Sequence, residues 1–209
     1  MFIRINHHKL THLFRATIVI ICVAVLSACT TPGKPVSAIQ AQQNRDYASD
    51  FAVGGSVSIQ YQEQEQTQTV LLDYEWQQHG DNLQIDLNSP LQTVARIKQD
   101  QRGASLEQAK QATRYATDTE QLLYDSLGWS LPVRGLSAWL QGFDLSPSGL
   151  RIALPVKDNY HTESQGWQLH FVNWQDLNQK ALPRRIELER TTAELGLIKI
   201  RIAIKEELK

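Results

Sequence analysis

The sequence predicts a mainly β domain of the α+β type, an antiparallel sheet curved into a partly closed barrel around two short helices. Three observations point to it. Apolar residues follow a period of two from Phe51 almost to the C-terminus, the mark of strands with one buried face. The period changes once, between Thr117 and Gly142, to that of short amphipathic helices. Turn residues recur roughly every 8 to 12 positions, the spacing of an all-antiparallel sandwich or barrel.

The first 28 residues precede that domain. Arg4, Lys9 and Arg15 form a basic segment, and Ala16–Leu26 is an uncharged apolar run of signal-peptide length, too short for a membrane span. Leu26-Ser27-Ala28-Cys29 follows, and it resembles the lipobox of bacterial lipoproteins. That resemblance implies cleavage before Cys29, with covalent diacylglyceryl and N-acyl groups on the new terminal residue as the only added chemistry. No other cofactor and no metal is expected. Cys22 leaves with the signal, so no second thiol remains for an intrachain disulfide and stability must come from a core. Residues 29–43 carry two prolines, a glycine and small polar side chains, and read as a tether; residues 44–209 form the domain. Thr30, where an aspartate commonly retains enteric lipoproteins at the inner membrane, suggests the outer membrane, with the domain facing the periplasm.

Within the domain Val53, Gly55, Val57, Ile59 and Tyr61 form one alternating set, and Val70, Leu72, Tyr74 and Trp76 a second. The Gln-rich stretch 60–68 between them reads as a solvated hairpin tip. Gly80-Asp81-Asn82 supplies a turn, Leu83, Ile85 and Leu87 continue the period, and Asn88-Ser89-Pro90-Leu91 interrupts it. Val94, Ile97 and 104–115 are weaker strands. Thr117 with Glu120 has the form of a capping box, and Leu123 and Leu127 lie on a helix stopped by Gly128. Pro132 begins a second helix in which Val133, Leu136 and Leu140 share a face with Trp139 at its edge. Strands resume at 150–154, 167–174, 183–189 and 197–204, the last with Ile198, Ile200, Ile202 and Ile204 on one face and Lys199, Arg201 and Lys205 opposite.

Little in the sequence points to catalysis. After processing only His79, His161 and His170 remain, and neither a metal-ligand spacing nor a Walker, H-E-x-x-H or G-x-S-x-G pattern occurs. Ser148 reads as a turn residue, and Glu187 with Glu189, close to Arg184, Arg185 and Arg190, as a solvated charged face. Removal of three basic residues leaves 18 Lys and Arg against 22 Asp and Glu, a formal charge of −4, which argues against a nucleic-acid partner and against adhesion to anionic lipid through a basic surface.

Leu91 is an apolar residue in a turn, and it either folds back onto the sheet or projects. One leucine entering an apolar phase gains roughly 1.5–3 kcal/mol, too little to anchor a protein but enough to direct where a lipid-anchored domain touches a bilayer. The many aromatic rings either fill the barrel or leave a cavity beneath the helices, and periodicity does not distinguish a filled barrel from a hollow one.

Taken together, lipobox Cys29, the strand Phe51–Ser58, Trp76, Asn88-Ser89-Pro90-Leu91, Leu131-Pro132-Val133 and Leu136-Ser137-Ala138-Trp139-Leu140-Gln141-Gly142 resemble the LolB family of outer-membrane lipoprotein receptors. The resemblance covers most of the mature chain and implies a half-open antiparallel β-barrel whose short helices form a lid over an apolar cavity. It implies a monomer that accepts acylated lipoproteins from the periplasmic carrier LolA and inserts them among outer-membrane phospholipids, without catalysis. Leu91 then matches the family's membrane-directed loop leucine, although Ser89 is inserted before Pro90 and Gln92 stands where a glycine is usual. Strand parity and helix faces nominate Val57, Ile59, Leu72, Tyr74, Leu123, Leu136, Trp139, Ile200 and Ile202 as cavity lining; a parity error of one residue exchanges the faces. Two alternatives remain at this stage. A scaffold lipoprotein would have a filled barrel and a buried Leu91, and a lipid hydrolase would place a Ser or carboxylate beside His161 or His170 in a cleft.

Overall fold

The computed structural model describes residues 45–63, 66–193 and 195–208. The signal segment, Cys29 and the tether assigned to 29–43 lie outside the described residues. Alternation becomes a ten-stranded antiparallel sheet in the order β6-β5-β4-β3-β2-β1-β12-β11-β10-β9. Its centre is a long hairpin, β1 (Asp50–Glu63) with β2 (Gln66–His79), paired from Asp50↔His79 to Glu63↔Gln66. On one side follow β3 (Asn82–Ser89), β4 (Gln92–Asp100), β5 (Gly103–Gln108) and the short β6 (Arg114–Ala116). On the other lie β12 (Gly196–Glu207), β11 (Lys180–Thr192), β10 (Trp167–Leu177) and β9 (Tyr160–Ser164). The edges β6 and β9 are not paired with each other, so the barrel is half-open.

The helices occupy the chain between β6 and β7 (Phe143–Leu145). The first, α1, spans Thr119–Leu127, and the second, α2, Val133–Leu140. The α1 cap differs from the expected one by a residue: Asp118, not Thr117, accepts the Gln121 amide at 2.8 Å. Glu120 therefore does not cap α1 and instead faces the start of α2, where it accepts the Arg134 backbone N–H at 3.4 Å and lies 3.7 Å from the guanidinium. Gly128 closes α1 in the left-handed conformation at φ 77°, and its N–H donates to the Tyr124 carbonyl. Pro132 stands just before the first helical residue of α2.

Two further departures follow from local polarity and length. The stretch 150–154 contributes only β8 (Arg151–Ala153), which pairs with β7 (Phe143–Leu145) in a separate two-stranded sheet. The edge strand β9, Tyr-His-Thr-Glu-Ser, lacks an apolar period because its outer side faces solvent.

One half of the barrel is solid. Trp167, Leu169, Phe171, Ile186, Leu188, Ile198 and Ile204 are all but inaccessible to solvent. The segment preceding β1 is pinned to this region: Arg45 donates to the carbonyls of Leu154 and Gly142 and lies 4.8 Å from the Trp174 ring and 5.2 Å from Phe143. Burial lowers the Arg45 pKa below the ordinary guanidinium value, and the rings and carbonyls offset the lost hydration.

Gly55 fixes the closest backbone approach. The β1–β12 register shifts between Gly54 and Gly55, and a Cβ at Gly55 would stand 1.9 Å from the Ala203 carbonyl oxygen. Gly55→Ala must push the two central strands apart, so we expect a loss of about 2 kcal/mol or more, read as a lower urea midpoint. An unchanged midpoint would mean that this close approach does not constrain the pairing.

Candidate functional site: an apolar cavity and an exposed turn

The other half of the barrel is hollow. A cavity of about 690 Å³ lies between the concave face of β1–β5 and β12 and the two helices, within the roughly 300–1,000 Å³ range of small-molecule sites. Val57, Ile59, Leu72 and Tyr74 line it from β1 and β2, Ile200 and Ile202 from β12, and Leu123 and Leu136 from α1 and α2. They converge because alternate residues of a strand share one face and residues three or four apart share a helix face.

Trp139 is placed differently. It is fully buried but does not line the cavity. At the edge of the α2 face, its ring turns back along its own helix, so that a Cβ at Gly135 would be 2.9 Å from its Cζ2 and 2.9 Å from Gln165. Val133, Leu136 and Leu140 present the cavity side of that helix instead.

Sequence reasoning missed much of the wall. Val70, Ile85, Leu87, Ile97 and Leu106 continue the same strand faces, Val94 joins them out of phase at the register shift between Leu87 and Asn88, and Trp129 and Leu131 come from the connection between the helices. In-phase parity was available for the strand residues other than Val94. The helix connection has no period to read. Gln108, Gln111 and Arg114, near the β5–β6 turn, give the cavity its polar border. Tyr74 Oη and Trp76 Nε1 are buried without a hydrogen-bond partner among the described residues, and burial pushes the Tyr74 phenol pKa far up, so it remains neutral at every physiological pH.

Leu91 projects. It is 95% exposed at the tip of the two-residue connection between β3 and β4, Pro90-Leu91. The inserted Ser89 closes the turn: it pairs with Gln92 and its hydroxyl donates to the Gln92 carbonyl at 3.1 Å, while Thr93 Oγ1 donates to Asn88 Oδ1 at 2.7 Å. No residue of this turn has positive φ, so Gln92 takes the place without strain. Leu87 and Val94 flank the turn and line the cavity, so Leu91 lies three to four residues, at most about 10 to 13 Å of strand, from the cavity wall.

The polar clusters considered for catalysis lie elsewhere. Glu187 is on the outer face of β11, where it accepts from Arg201 at 3.0 Å and meets Arg185 at 3.1 Å and His170 at 3.3 Å. Partial burial works to raise its pKa, but the hydrogen bonds from Arg201 and His170 and the charge of Arg185 outweigh it and hold the carboxyl below its ordinary value. His161 stacks on His170 with ring centroids 4.0 Å apart. Ser148 is bonded to Ser146 at 2.9 Å in an exposed turn. Among the described residues no three His, Cys, Asp or Glu side chains converge as metal ligands, and no helix is long and apolar enough to cross a membrane.

A half-open antiparallel barrel with an apolar cavity under a two-helix lid, and a leucine held out on a neighbouring turn, is the architecture of an apolar-ligand carrier. The family model described as outer membrane lipoprotein LolB matches residues 49–206, and the chain belongs to the LolB family. The outer-membrane lipoprotein LolB of Ralstonia nicotianae is 32% identical over 173 residues, covering 80% of this chain and 82% of that one. The corresponding protein of Cupriavidus metallidurans is 31% identical over 202 residues, covering 91% and 96%. Among solved structures, a LolA superfamily protein from Nitrosomonas europaea aligns with a TM-score of 0.45 at 11% identity, over 82% of this chain and 91% of that one, a likeness too distant to bear on function.

Proposed function

We propose that this protein is a lipid-anchored outer-membrane receptor that accepts acylated lipoproteins from a periplasmic carrier of the LolA type and inserts them into the membrane, acting by binding and not by catalysis. The observation that carries the reading is the 690 Å³ apolar cavity beside an exposed leucine, in a chain of the LolB family. In this reading residues 1–28 are removed, Cys29 is acylated and 29–43 give the domain its reach. Val57, Ile59, Leu72, Tyr74, Leu123, Leu136, Ile200 and Ile202 shelter acyl chains, and Leu91 meets the bilayer.

The energetics require such a shelter. Each methylene exposed to water costs about 0.8 kcal/mol, so acyl chains cannot cross an aqueous space unprotected. With no nucleotide-binding motif in the chain, transfer runs downhill, from a carrier that holds the chains less tightly to this cavity and then to the bilayer. The test is transfer in solution: an acylated lipoprotein bound to its carrier is mixed with residues 41–209, and each partner is recovered separately. Cargo found on this domain without nucleotide supports the reading. Cargo left on an active carrier would sink it and favour a structural role.

A further inference from the structure

We propose that Leu71 is a second membrane-contacting residue, acting with Leu91, so that the domain meets the bilayer through the uncharged outer corner made by the distal half of β2 and the β3–β4 turn. This rests on the proposed role of Leu91 and adds to it the orientation in which the domain is held.

Leu71 sits between two cavity residues, Val70 and Leu72, and therefore points to the opposite face of the sheet. It is 72% exposed, the most exposed apolar side chain of the central hairpin. The β2–β3 register brings it to the turn. Asp73 pairs with Asn88, the last rung before the strands part, and Leu71 lies two residues, about 7 Å, further along toward the level of Pro90 and Leu91. Two exposed leucines from different strands thus occupy one corner.

Charge marks this corner as one that can enter a membrane. Gln66–Leu72 and Leu87–Ala95, the two segments that build it, contain no Asp, Glu, Lys, Arg or His, and neither does the adjoining stretch of β1 from Ser56 to Gln62. The nearest charge along β2, Asp73, is paired with Lys205 at 3.2 Å. The other apolar side chains more than half exposed stand beside charges that would have to be desolvated with them: Tyr115 follows Arg114, Tyr124 precedes Asp125, and Leu150 and Ile152 flank Arg151. Single exposed leucines are ordinary on protein surfaces. A pair at one corner without a charge, one of them held out by a closed turn, fits a lipid surface. A single insertion point would let the domain swivel about its tether, whereas two define a line and leave only rotation about it, which narrows the directions the cavity can face.

The experiment places an environment-sensitive thiol fluorophore at Leu71→Cys, Leu91→Cys and Leu197→Cys in the full acylated chain, in which Cys29 has no free thiol. Leu197 is a control at the same end of the sheet, exposed on β12 on the face of the Lys199–Glu189 ion pair. The vesicles are phosphatidylethanolamine and phosphatidylglycerol, with brominated phospholipid as quencher. The expected result is a blue shift and quenching at 71 and 91 and neither at 197. Response at 91 with 71 still in water overturns this proposal and leaves the role of Leu91 standing; silence at both overturns the two together. A shift at 71 on adding carrier without vesicles assigns the corner to a protein partner and also overturns it. As a second readout, Leu71→Ser lowers cargo insertion into vesicles by roughly tenfold, the fold-change of one leucine withdrawn from an apolar phase, while cargo uptake in solution is unchanged.

Discussion

Leu91→Glu leaves the protein folded and able to take cargo from its carrier, yet unable to hand that cargo to vesicles. Both halves of this expectation come from the same position. Leu91 is 95% exposed and touches no core, so its replacement costs the fold almost nothing. At a membrane the change removes a leucine and adds a charge, a penalty of roughly 3 kcal/mol or more and so on the order of a hundredfold in delivery. The measurement separates two assays, recovery of cargo on the receptor in solution and protection of cargo in liposomes. A variant that delivers normally would remove Leu91 from the mechanism, and one that fails to accept cargo would show that the turn belongs to the carrier interface.

Ile59→Trp gives the opposite phenotype. Ile59 is half-buried on β1 and faces the cavity beside Val57 and Ile200. The ring has space ahead of it, so the added apolar surface is buried at about 25 cal/mol per Å² and the folded state is at least as stable as before. That space is then lost to cargo: an indole with about six more heavy atoms than isoleucine displaces on the order of four methylenes, about 3 kcal/mol, a hundredfold weaker grip. The domain therefore melts no earlier than the parent, while cargo stays with the carrier. Retained uptake would place the acyl chains outside the 690 Å³ space and refute the cavity assignment.

Where side chains alternate, the primary sequence already described the molecule. The inner faces of β1, β2 and β12 could be read residue by residue, because in a sheet with one wet face parity alone decides which side chains meet. The helices were placed by Gly128, Pro132 and Gly142, although the α1 cap falls on Asp118, one residue later than the Thr117–Glu120 spacing indicated. Trp139 shows where that legibility ended. On a helix wheel it lies about 60° from Leu136, and which neighbour claims such an edge position is set by tertiary packing, here by the room that Gly135 leaves for the ring. The same limit applied to Leu91. Nothing local distinguishes a leucine that tucks back from one that projects, and the outcome was decided by Ser89 and Thr93, whose side-chain bonds close the turn underneath it. The hollow interior was beyond periodicity altogether, since filled and empty barrels share one pattern. The pinning of Arg45 between Trp174 and Phe143 had no signature either, because an isolated arginine before the first strand gives no sign of the two rings that will enclose it.

The half-open sheet has a thermodynamic consequence for the work cycle. Its two free margins, β6 and β9, share no ladder bonds with each other, and the hollow side is roofed by two short helices and the connection between them instead of by further strands. A guest can lift that roof by sliding aliphatic side chains past one another, with every rung between neighbouring strands left intact. Loading and emptying then leave the sheet unbroken, and the receptor can turn over repeatedly without approaching its own denaturation. What distinguishes the loaded from the empty state is how much hydrocarbon has been withdrawn from water, which is the same quantity the bilayer competes for.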